Sequence, residues 1–407
     1  MENKIKKNLS KIIEVFILMQ PFIDLLTGIL VHNNVNLTLG IIIRTVFLAF
    51  VMLITVFIFK KKNALFVYLA LALYSIFYLL GIIIYKDGVG LFYEIQGLFK
   101  IVYFPILLYS LYCLKDYINI NINTLYKTLI IYILMIFIPT FLDVGYKTYE
   151  VTKKGSLGFF NSANEISGII SLLTPIIFIK LKEKKHLFLQ SLFFIIYLIT
   201  ILNMGTKTPL LSLGITIGFI FGFIIINAIK KKNYRILSAF IITFIVIFTS
   251  ILLLLPRTNF YKNIKTHMDF LGVESISEVF TEFNLVDHFI FSQRLTFLSD
   301  ENYLFKNSST YQKVFGRGYL NQGEETKLIE MDYFDVFYHH GIIGFIIFFI
   351  IYGIVVIKTL NKKKKTDFNQ IMLYTSFLLI LTLSLFSGHI IIAPSVNIIV
   401  ISLILKL

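Results

Sequence analysis

Residues 325–344 read ETKLIEMDYFDVFYHHGIIG, a stretch that changes from charged to apolar along its length. Its first part gathers Glu330, Asp332 and Asp335, and its second part begins an apolar run that continues to Ile357. An apolar run of about 20 residues can cross the ~30 Å hydrocarbon layer of a bilayer as a helix. The stretch therefore marks a point where carboxylates meet the edge of a membrane.

The composition of the whole chain indicates a membrane protein. Of its 407 residues, 57% are hydrophobic and only 15% are charged, and its mean hydropathy is +0.82. That is more apolar surface than the core of a soluble domain can hide. We therefore predict an all-α membrane protein with about twelve transmembrane helices. The predicted spans are 12–31, 41–59, 64–84, 98–114, 125–142, 165–181, 187–202, 209–229, 236–256, 336–357, 369–387 and 389–406.

One long segment lies outside the apolar runs, at 257–335. It separates the predicted helices one to nine, in 1–256, from helices ten to twelve, in 336–407. We expect chemistry on water-soluble groups in this loop, so it is the candidate catalytic segment. The single cysteine, Cys113, lies in an apolar run, so no disulfide can cross-link the loop.

The basic residues follow the pattern that sets the orientation of a membrane protein. Lys and Arg cluster before the first predicted span and after every even-numbered span, whereas the loop at 257–335 has twelve acidic residues against eight basic ones. We therefore predict that both termini are cytoplasmic and that the loop faces outward. Pro21 and Asp24 interrupt the first span, which we interpret as retained rather than cleaved. The same pattern accounts for the net charge of +15, so no nucleic-acid partner is expected.

Four ionisable side chains interrupt the apolar runs near their predicted outer ends: Asp24, Arg44, Glu94 and Lys100. A charge at mid-bilayer costs about 2.5–3.5 kcal/mol on insertion scales, so each needs an explanation. In one interpretation the cations reach the interface, and Asp24 pairs with one of them to stabilise the helices. In the other, these groups line a polar cavity that opens outward beneath the loop. The sequence leaves both interpretations open.

Two motifs between predicted spans add polar residues to the same outer face. GFFNSANEISG (158–168) places Asn164 at a helix entrance, where an asparagine either contacts a ligand or only caps the helix. NMGTKTPL (203–210) puts Lys207 in a tight turn. This turn lacks the G-x-x-x-x-G-K spacing of a nucleotide-binding loop, so we exclude that function.

Two further motifs lie inside the loop and carry arginines. SQRLTFLSDENYLF (292–305) has apolar residues at helical spacing, which predicts a short amphipathic helix that carries Arg294. FGRGYL (315–320) flanks Arg317 with glycines. Glycines permit the close approach of the backbone to a ligand, or they form a turn and nothing more.

The acidic residues at the end of the loop are spaced so that a helix would bring some of them together. If the tenth helix begins near Glu330, then Asp332, Asp335 and His339 share one face of it. Carboxylates in a first turn also suit the helix dipole, so capping competes with catalysis as their role. A metal ion held by Asp335 and His339 is conceivable but disfavoured, because His339 and His340 diverge and no further ligands lie nearby in the sequence.

The order of these features resembles the O-antigen ligase and polymerase superfamily, multi-helix bacterial membrane glycosyltransferases that act on lipid-linked saccharides. The resemblance covers nearly the whole chain and lies in the order of the motifs, the topology and the single large loop. The motifs are, in order, PFIDLLTG (21–28), GFFNSANEISG, NMGTKTPL, SQRLTFL, FGRGYL, and Glu-x-Asp at 330–332 followed by HHGIIGFIIF (339–348).

The chain departs from the ligases of this family at one position. In the ligases the loop ends in a His-Asn pair, eleven residues before the first glycine of a G-x-x-G motif. Counting back eleven residues from Gly341 reaches Glu330, which Met331 follows. This departure favours the polymerases and Gram-positive-type relatives over transfer to lipid A core. The turn that often carries arginine in the family carries Lys207 here.

The resemblance implies polymerisation or ligation of polyprenyl-diphosphate-linked oligosaccharides, by metal-independent inverting transfer, at the outer face of a bacterial cytoplasmic membrane. Such a donor brings its own leaving group, so the protein needs cations for the diphosphate and a base for the acceptor hydroxyl. Arg294 and Arg317, with Lys207, suit the diphosphate. Glu330 or Asp332 suits the base. The implied partners are the lipid-linked saccharide, membrane lipid and a saccharide acceptor, without a cofactor.

The other predicted substrate-binding residues surround these groups. They are Lys207, Arg44, Lys100, Asn164, Asp24 and Asp335.

The alternative function, from a different class, is that of a transporter or flippase for lipid-linked oligosaccharides. Such proteins usually show repeat symmetry and short loops. The long loop and the lack of a visible repeat favour the enzyme, and two halves that superpose would favour the transporter.

Overall fold

The computed structural model describes residues 2–35, 39–86, 88–148, 155–230, 255–321, 324–325, 328–361 and 367–407, together with positions 238, 241, 245, 249 and 253. Within these residues, ten helices are long and apolar enough to cross a membrane. Their 18–29 residues correspond to about 27–44 Å of helix, against a hydrocarbon layer of ~30 Å. The prediction of an all-α membrane protein is confirmed. The ninth predicted span, 236–256, lies for the most part outside the described residues.

The long helices follow the predicted apolar runs closely. They are α1 (Glu2–His32), α2 (Leu39–Leu53, continued by a π-helical turn at Ile54–Ile58), α3 (Lys62–Lys86), α4 (Leu91–Cys113), α5 (Ile122–Phe141), α6 (Ala163–Lys182), α7 (Leu187–Met204) and α8 (Lys207–Lys230). Beyond the loop come α14 (Asp332–Leu360), α15 (Phe368–Phe386) and the shorter α16 (Pro394–Lys406). Short 3₁₀ turns occupy Lys115–Tyr117 and Leu255–Arg257.

The segment before α14 folds into short elements. These are α9 (Asn259–Leu271), α10 (Ile276–Val279), α11 (Phe283–Val286), a π-helical turn at Asp287–Phe291, α12 (Arg294–Asn307), α13 (Thr310–Phe315), β1 (Leu320–Asn321) and β2 (Glu324–Glu325). The two strands pair antiparallel, with Leu320 opposite Glu325. The helix predicted around Arg294 is confirmed as α12. It packs on α14, and the Phe305 ring lies 5.1 Å from that of Phe337.

Helix α6 is the most buried of the ten long helices and lies at the centre of the bundle. It packs against α5, α7, α8, α15 and α16. Its buried face carries small residues, among them Ser167, Gly168, Ser171 and Thr174. Small side chains let membrane helices approach closely, and the Thr174 hydroxyl also bonds to that of Tyr197 at 2.7 Å. The outside of the bundle is apolar, as lipid contact requires.

Helix α14 is interrupted at Gly341, where φ is 68° and ψ is −176°. The end of α13 fills the break, since a Cβ on Gly341 would lie 2.6 Å from the backbone nitrogen of Gly316. The carbonyls beside the break find new donors. The His339 carbonyl accepts from the Gly318 amide at 3.0 Å, and the His340 carbonyl accepts from the Tyr74 hydroxyl at 3.0 Å. The loop is therefore docked into the helix that follows it.

Several helices begin earlier than the sequence predicts, and burial of charged residues explains two of these starts. Helix α4 begins at Leu91 rather than 98, because Glu94 does not end the apolar helix but is buried. The Lys86 ammonium donates to the Glu94 carboxylate at 2.7 Å and offsets its charge. Helix α14 begins at Asp332 rather than 336, since its two carboxylates are buried and accept bonds from backbone amides.

The last helix begins later than predicted, at Pro394 rather than 389. Gly388 and His389 have φ of 65° and 56°, a left-handed backbone that a helix cannot contain. Proline suits the first position of a helix, because its fixed φ fits there and its missing N–H leaves no bond unmade. The 13 residues of α16 span about 20 Å, less than the ~30 Å hydrocarbon layer.

Candidate active site

The Glu330 side chain lies where three distant parts of the chain meet. The Arg294 guanidinium, at the start of α12, donates to Glu330 Oε2 at 2.7 Å. The Asn164 amide, on α6, donates to the same oxygen at 3.3 Å. His389, on the connection between α15 and α16, places its Nε2 3.8 Å from Glu330 Oε1. We call these four residues the Glu330 site.

Two buried carboxylates fix the backbone on either side of Glu330. Asp335 accepts from the amides of Ile329 at 3.0 Å and Met331 at 3.1 Å, so it clamps both neighbours of Glu330. Glu330 itself has φ of 59°, an uncommon value for a residue with a side chain. The clamp therefore holds Glu330 in a conformation that the free chain would seldom adopt.

Asp332 holds the connection that carries His389. Its Oδ2 accepts from the Ile390 amide at 2.9 Å and from the Ile391 amide at 2.8 Å. Gly388 packs directly on Glu330, and a Cβ there would lie 2.3 Å from the Glu330 carbonyl oxygen. Glycine is thus required at 388, both for this contact and for its positive φ.

Arg294 is presented by a turn that Asp287 stabilises. Ser292 and Gln293 both have left-handed backbone, with φ of 55° and 66°, directly before α12 begins at Arg294. The buried Asp287 carboxylate accepts from the Leu295 amide at 3.0 Å and from the Thr296 amide at 2.9 Å. Asp287 therefore supplies the acceptor that the first turn of α12 needs.

A cleft adjoins the Glu330 site between the loop-side ends of α4 and α16. It is partly open to solvent, and its polar lining includes Gln96, Lys100, Glu165 and His389. Lys100 is exposed although it lies on a membrane-spanning helix. The cleft is thus lined both by a cation on α4, Lys100, and by the histidine beside Glu330, His389.

Lys207 extends the positive charge on the other side of the site. It begins α8, and its ammonium donates to the Phe289 carbonyl and lies 4.6 Å from the centre of the Phe289 ring. The charges of Lys207 and Arg294 are close enough to repel each other. Two cations from different parts of the chain therefore lie together at the loop end of the bundle.

The charges at the Glu330 site stabilise one another. Burial alone would raise the pKa of the Glu330 carboxyl, but interactions with His389 and Arg294 outweigh burial and lower this pKa to about 2. Burial would lower the pKa of His389, but the carboxylates of Glu330, Glu165 and Asp332 outweigh it and raise this pKa above the ordinary 6.5. Glu330 is therefore a firmly ionised carboxylate, and the carboxylates around His389 stabilise its imidazolium form relative to that of a free histidine.

A family comparison identifies the kind of protein that contains this site. The model of the family described as O-antigen ligase like membrane protein matches residues 6–279 and 277–407 of the chain. The chain belongs to this family. A search of curated proteins and a search of solved structures each found no match. Membership in the O-antigen ligase like family implies glycosyltransferase-type activity on lipid-linked saccharides in a membrane.

The structure brings several residues predicted for this O-antigen ligase like protein into one place. Glu330, Arg294 and Asn164 are in direct contact, and Lys207 and Lys100 flank them as described above. Asp332 and Asp335 lie beside Glu330, but their carboxylates bond to backbone amides. These two residues therefore support the position of Glu330.

Arg317 lies elsewhere in the loop. Its guanidinium pairs with Glu301, and both side chains are buried. Glu301 is seven residues beyond Arg294 on α12, about 10 Å along the helix. The glycines around Arg317 permit a close approach of the backbone to other parts of the protein. A Cβ on Gly318 would lie 2.6 Å from the Glu94 carboxylate. Arg317 thus joins two parts of the loop.

Asp24 and Arg44 do not belong to the cleft lining. The Arg44 guanidinium pairs with Asp24 and donates to Gln20 Oε1 at 2.9 Å, and the Tyr132 hydroxyl donates to Asp24 at 2.5 Å. This network joins α1, α2 and α5 inside the bundle. Of the two interpretations that the sequence leaves open, the geometry supports the pairing of Asp24 with a cation that stabilises the helices.

The adjacent histidines also have protein partners. His339 Nδ1 lies 3.0 Å from the Gly318 carbonyl, and its Nε2 lies 3.7 Å from Asp335. The Tyr319 hydroxyl lies 2.7 Å from His340 Nε2. Over the described residues, no group of three or more His, Cys, Asp or Glu has the arrangement of a metal site. Both rings hold the FGRGYL segment against α14.

Three residues that form or support the candidate site or the docked loop are not among the site residues predicted from the sequence. His389 is marked in the sequence only as part of a polar break between two apolar runs. Asp287 is one of twelve acidic residues in the loop, and nothing in its position indicates that it caps a helix that begins seven residues later. Glu94 is visible as a charge in an apolar run, but its acceptance of the Tyr319 amide at 2.9 Å depends on the docked loop. Each of these contacts joins residues from different elements.

Proposed function

We propose that this protein transfers a saccharide from a polyprenyl-diphosphate donor to a sugar hydroxyl, and so polymerises or ligates a cell-surface polysaccharide at the outer face of the cytoplasmic membrane. The observation that carries the proposal is the contact of Glu330 with Arg294 beside the cleft that contains Lys100. One carboxylate and several cations lie within reach of the same ligand, as the two halves of the reaction require.

In the proposed reaction, the acceptor hydroxyl oxygen attacks the anomeric carbon on the face opposite the diphosphate. The bond between the anomeric carbon and the phosphate oxygen breaks, and its electron pair leaves with the polyprenyl diphosphate. The hydroxyl proton passes to the Glu330 carboxylate. The configuration at the anomeric carbon is inverted, since attack and departure occur on opposite faces.

The surrounding residues have separate roles in this reaction. The Arg294 guanidinium binds phosphate oxygens, because its planar donors match them in pairs. Lys207 and Lys100 add positive charge on either side. Asn164 orients the Glu330 carboxylate through its amide. The polyprenyl chain lies in the cleft between α4 and α16, whose lining combines apolar residues with Lys100.

The test is polymer or ligated product formed by purified protein in lipid nanodiscs with a polyprenyl-diphosphate-linked oligosaccharide. Glu330→Gln keeps the shape of the side chain and removes the base, so the rate should fall about 10²–10⁴-fold. Glu282→Gln, at an exposed position of the loop, should leave the rate unchanged. A Glu330→Gln variant as active as the wild type would remove Glu330 from the mechanism.

A second pair of variants separates the base from its supports. Asp332→Asn keeps an oxygen that can accept from Ile390 and Ile391, so it should retain folded protein and measurable transfer. An inactive, folded Asp332→Asn protein together with an active Glu330→Gln protein would move the base two residues along the chain. The absence of product from the wild type with every donor tried would reject the proposed function itself.

A further inference from the structure

His389 is held in a conformation that the local sequence does not favour. It follows Gly388 in left-handed backbone, and the chain on both sides is fixed, by the packing of Gly388 on Glu330 and by the bonds from Ile390 and Ile391 to Asp332. Left-handed backbone costs free energy in a residue with a side chain, and such residues cluster at functional sites. The position of this imidazole is therefore imposed by the fold.

The imidazole of His389 faces two regions at once. Its Nε2 lies 3.8 Å from Glu330, and its side chain, 22% exposed, lines the cleft with Lys100 and Glu165. His389 is therefore the one member of the Glu330 site that also belongs to the cleft lining. An anion in the cleft therefore has both the Lys100 ammonium and the His389 imidazole in the lining around it.

The Arg294 guanidinium has a donor that its bond to Glu330 does not use. Within the described chain, Arg294 donates to Glu330, and its buried Nε has no partner. A diphosphate has several oxygens that can accept from a guanidinium and an imidazolium together. It competes directly with the single carboxylate of Glu330 for the same two cations.

We propose that the diphosphate of the donor binds His389 and Arg294 in exchange for Glu330, so that the donor itself releases the catalytic base. This inference rests on the proposed function and adds a diphosphate-binding residue, His389, and an order of events, donor before proton transfer. No covalent bond changes in the exchange. Both cations keep their protons, and Glu330 is left as a carboxylate that then takes the proton of the acceptor hydroxyl.

The exchange resolves a difficulty in the chemistry of Glu330. With its pKa lowered to about 2, the carboxyl of the free protein is a weak base. The cations that lower this pKa are those that the diphosphate takes, and the diphosphate adds negative charge nearby. Both changes raise the pKa of Glu330 toward the operating pH, where a general base is most effective.

The inference is tested by equilibrium binding of saccharide-free polyprenyl diphosphate to purified protein, without an acceptor. Glu330→Gln removes the competitor for both cations and should bind the diphosphate about tenfold more tightly than the wild type. His389→Gln should bind it about tenfold less tightly. The double variant Glu330→Gln with His389→Gln should bind the diphosphate less tightly than Glu330→Gln alone, because it lacks the cation at position 389.

Matched controls separate this effect from a change in the fold. His186→Gln alters an exposed histidine between α6 and α7 and should leave the diphosphate affinity unchanged, as should Glu282→Gln. His389→Arg retains a positive charge and should bind the diphosphate more tightly than His389→Gln. The corresponding polyprenol, without phosphates, should show no difference among the variants, because the lipid alone cannot exchange with Glu330.

The pH dependence of binding gives an independent readout. His389 faces Glu330 and Asp332 at the start of α14, Glu165 on α6 and Lys100 on α4. Since the carboxylates raise the pKa of His389, the imidazolium is present below that raised pKa and is lost as the pH increases through it. Wild-type affinity for the diphosphate should fall over that interval, and His389→Arg should not show the fall.

The outcomes distinguish this inference from the proposed function. If Glu330→Gln binds the diphosphate no more tightly than the wild type, or if His389→Gln binds it equally well, the exchange does not occur, whatever the transfer activity. If the wild type transfers no saccharide but the two variants shift the affinity in opposite directions, the proposed function fails and the diphosphate site remains.

Discussion

Left-handed backbone occurs at four non-glycine positions of the candidate site: Ser292, Gln293, Glu330 and His389. Such positions are uncommon and are kept only where the surrounding structure imposes them. Here the buried carboxylates of Asp287, Asp332 and Asp335 bond to nearby amides. At the scale of single residues, these three acids therefore shape the backbone, whereas the Glu330 carboxylate accepts from the side chains of Arg294 and Asn164.

A prediction at this scale concerns Arg317. Its burial with Glu301 means that Arg317→Ala strands an unpaired buried carboxylate, at a cost of about 3–5 kcal/mol. We expect lower thermal stability and a loop that is docked in a smaller fraction of the molecules. Transfer activity should then fall because the fold is disturbed. The double variant Arg317→Met with Glu301→Leu removes both charges and should recover stability and much of the activity.

The measurement for Arg317 is the midpoint of thermal unfolding, taken together with transfer activity. Arg294→Ala is the comparison, since it should abolish transfer while the fold persists. If the double variant at positions 317 and 301 is stable but inactive, Arg317 acts in diphosphate binding and is not only structural.

At the scale of elements, the break in α14 decides where the loop lies. A continuous helix through Gly341 would occupy the space that Gly316 and the end of α13 now fill. The break also frees the carbonyls that accept from Gly318 and Tyr74. The loop is thus tied to α14 on one side and, through Glu94, to α4 on the other. This docking helps to set the place of the Glu330 site.

Gly341→Ala tests the break. The substitution requires a left-handed alanine and places its Cβ 2.6 Å from a backbone nitrogen, so either the helix straightens or the loop undocks. We expect faster cleavage of the loop by added protease, lower thermal stability and a large loss of transfer. Gly353→Ala in the same helix has nothing within 4 Å of the new Cβ and should be neutral or stabilising by about 1 kcal/mol. Equal behaviour of the two variants would mean that the break has no role.

At the scale of the whole molecule, the helices are arranged so that the loop, the Glu330 site and the cleft share one end of the bundle. The Glu330 site draws residues from α6, α12, the segment just before α14 and the connection after α15. Under the proposed function, the lipid-linked donor enters by the cleft and the polar acceptor by the loop. This arrangement fits an enzyme whose two substrates differ in solubility.

The orientation of the molecule remains a prediction from its basic connections, and cysteine labelling tests it. In a Cys113→Ser background, a cysteine at Asn307, exposed at the end of α12, should react with a membrane-impermeant maleimide in intact cells. A cysteine at Lys185, exposed between α6 and α7, should react only after the cells are opened. The reverse pattern would place the Glu330 site on the cytoplasmic face.

The sequence by itself determined the fold class and most helix bounds, because the length of an apolar run and the clusters of Lys and Arg are local properties. It also selected Arg294 on a predicted amphipathic helix of the loop, Asn164 at a predicted helix entrance, and Glu330 through the spacing that the family resemblance gives. The family resemblance placed the chain correctly, and the family match confirms it.

Only the tertiary structure decided which of the candidates act together. Arg294 and Arg317 look equivalent in the sequence, yet one guanidinium meets Glu330 and the other is buried against Glu301. Asp24 pairs with Arg44 inside the bundle, and His389 enters the site from a connection that the sequence marks only as a break. The physical reason is that ion pairs join residues far apart in the chain, and the packing of the helices and the docked loop alone brings such residues within 4 Å.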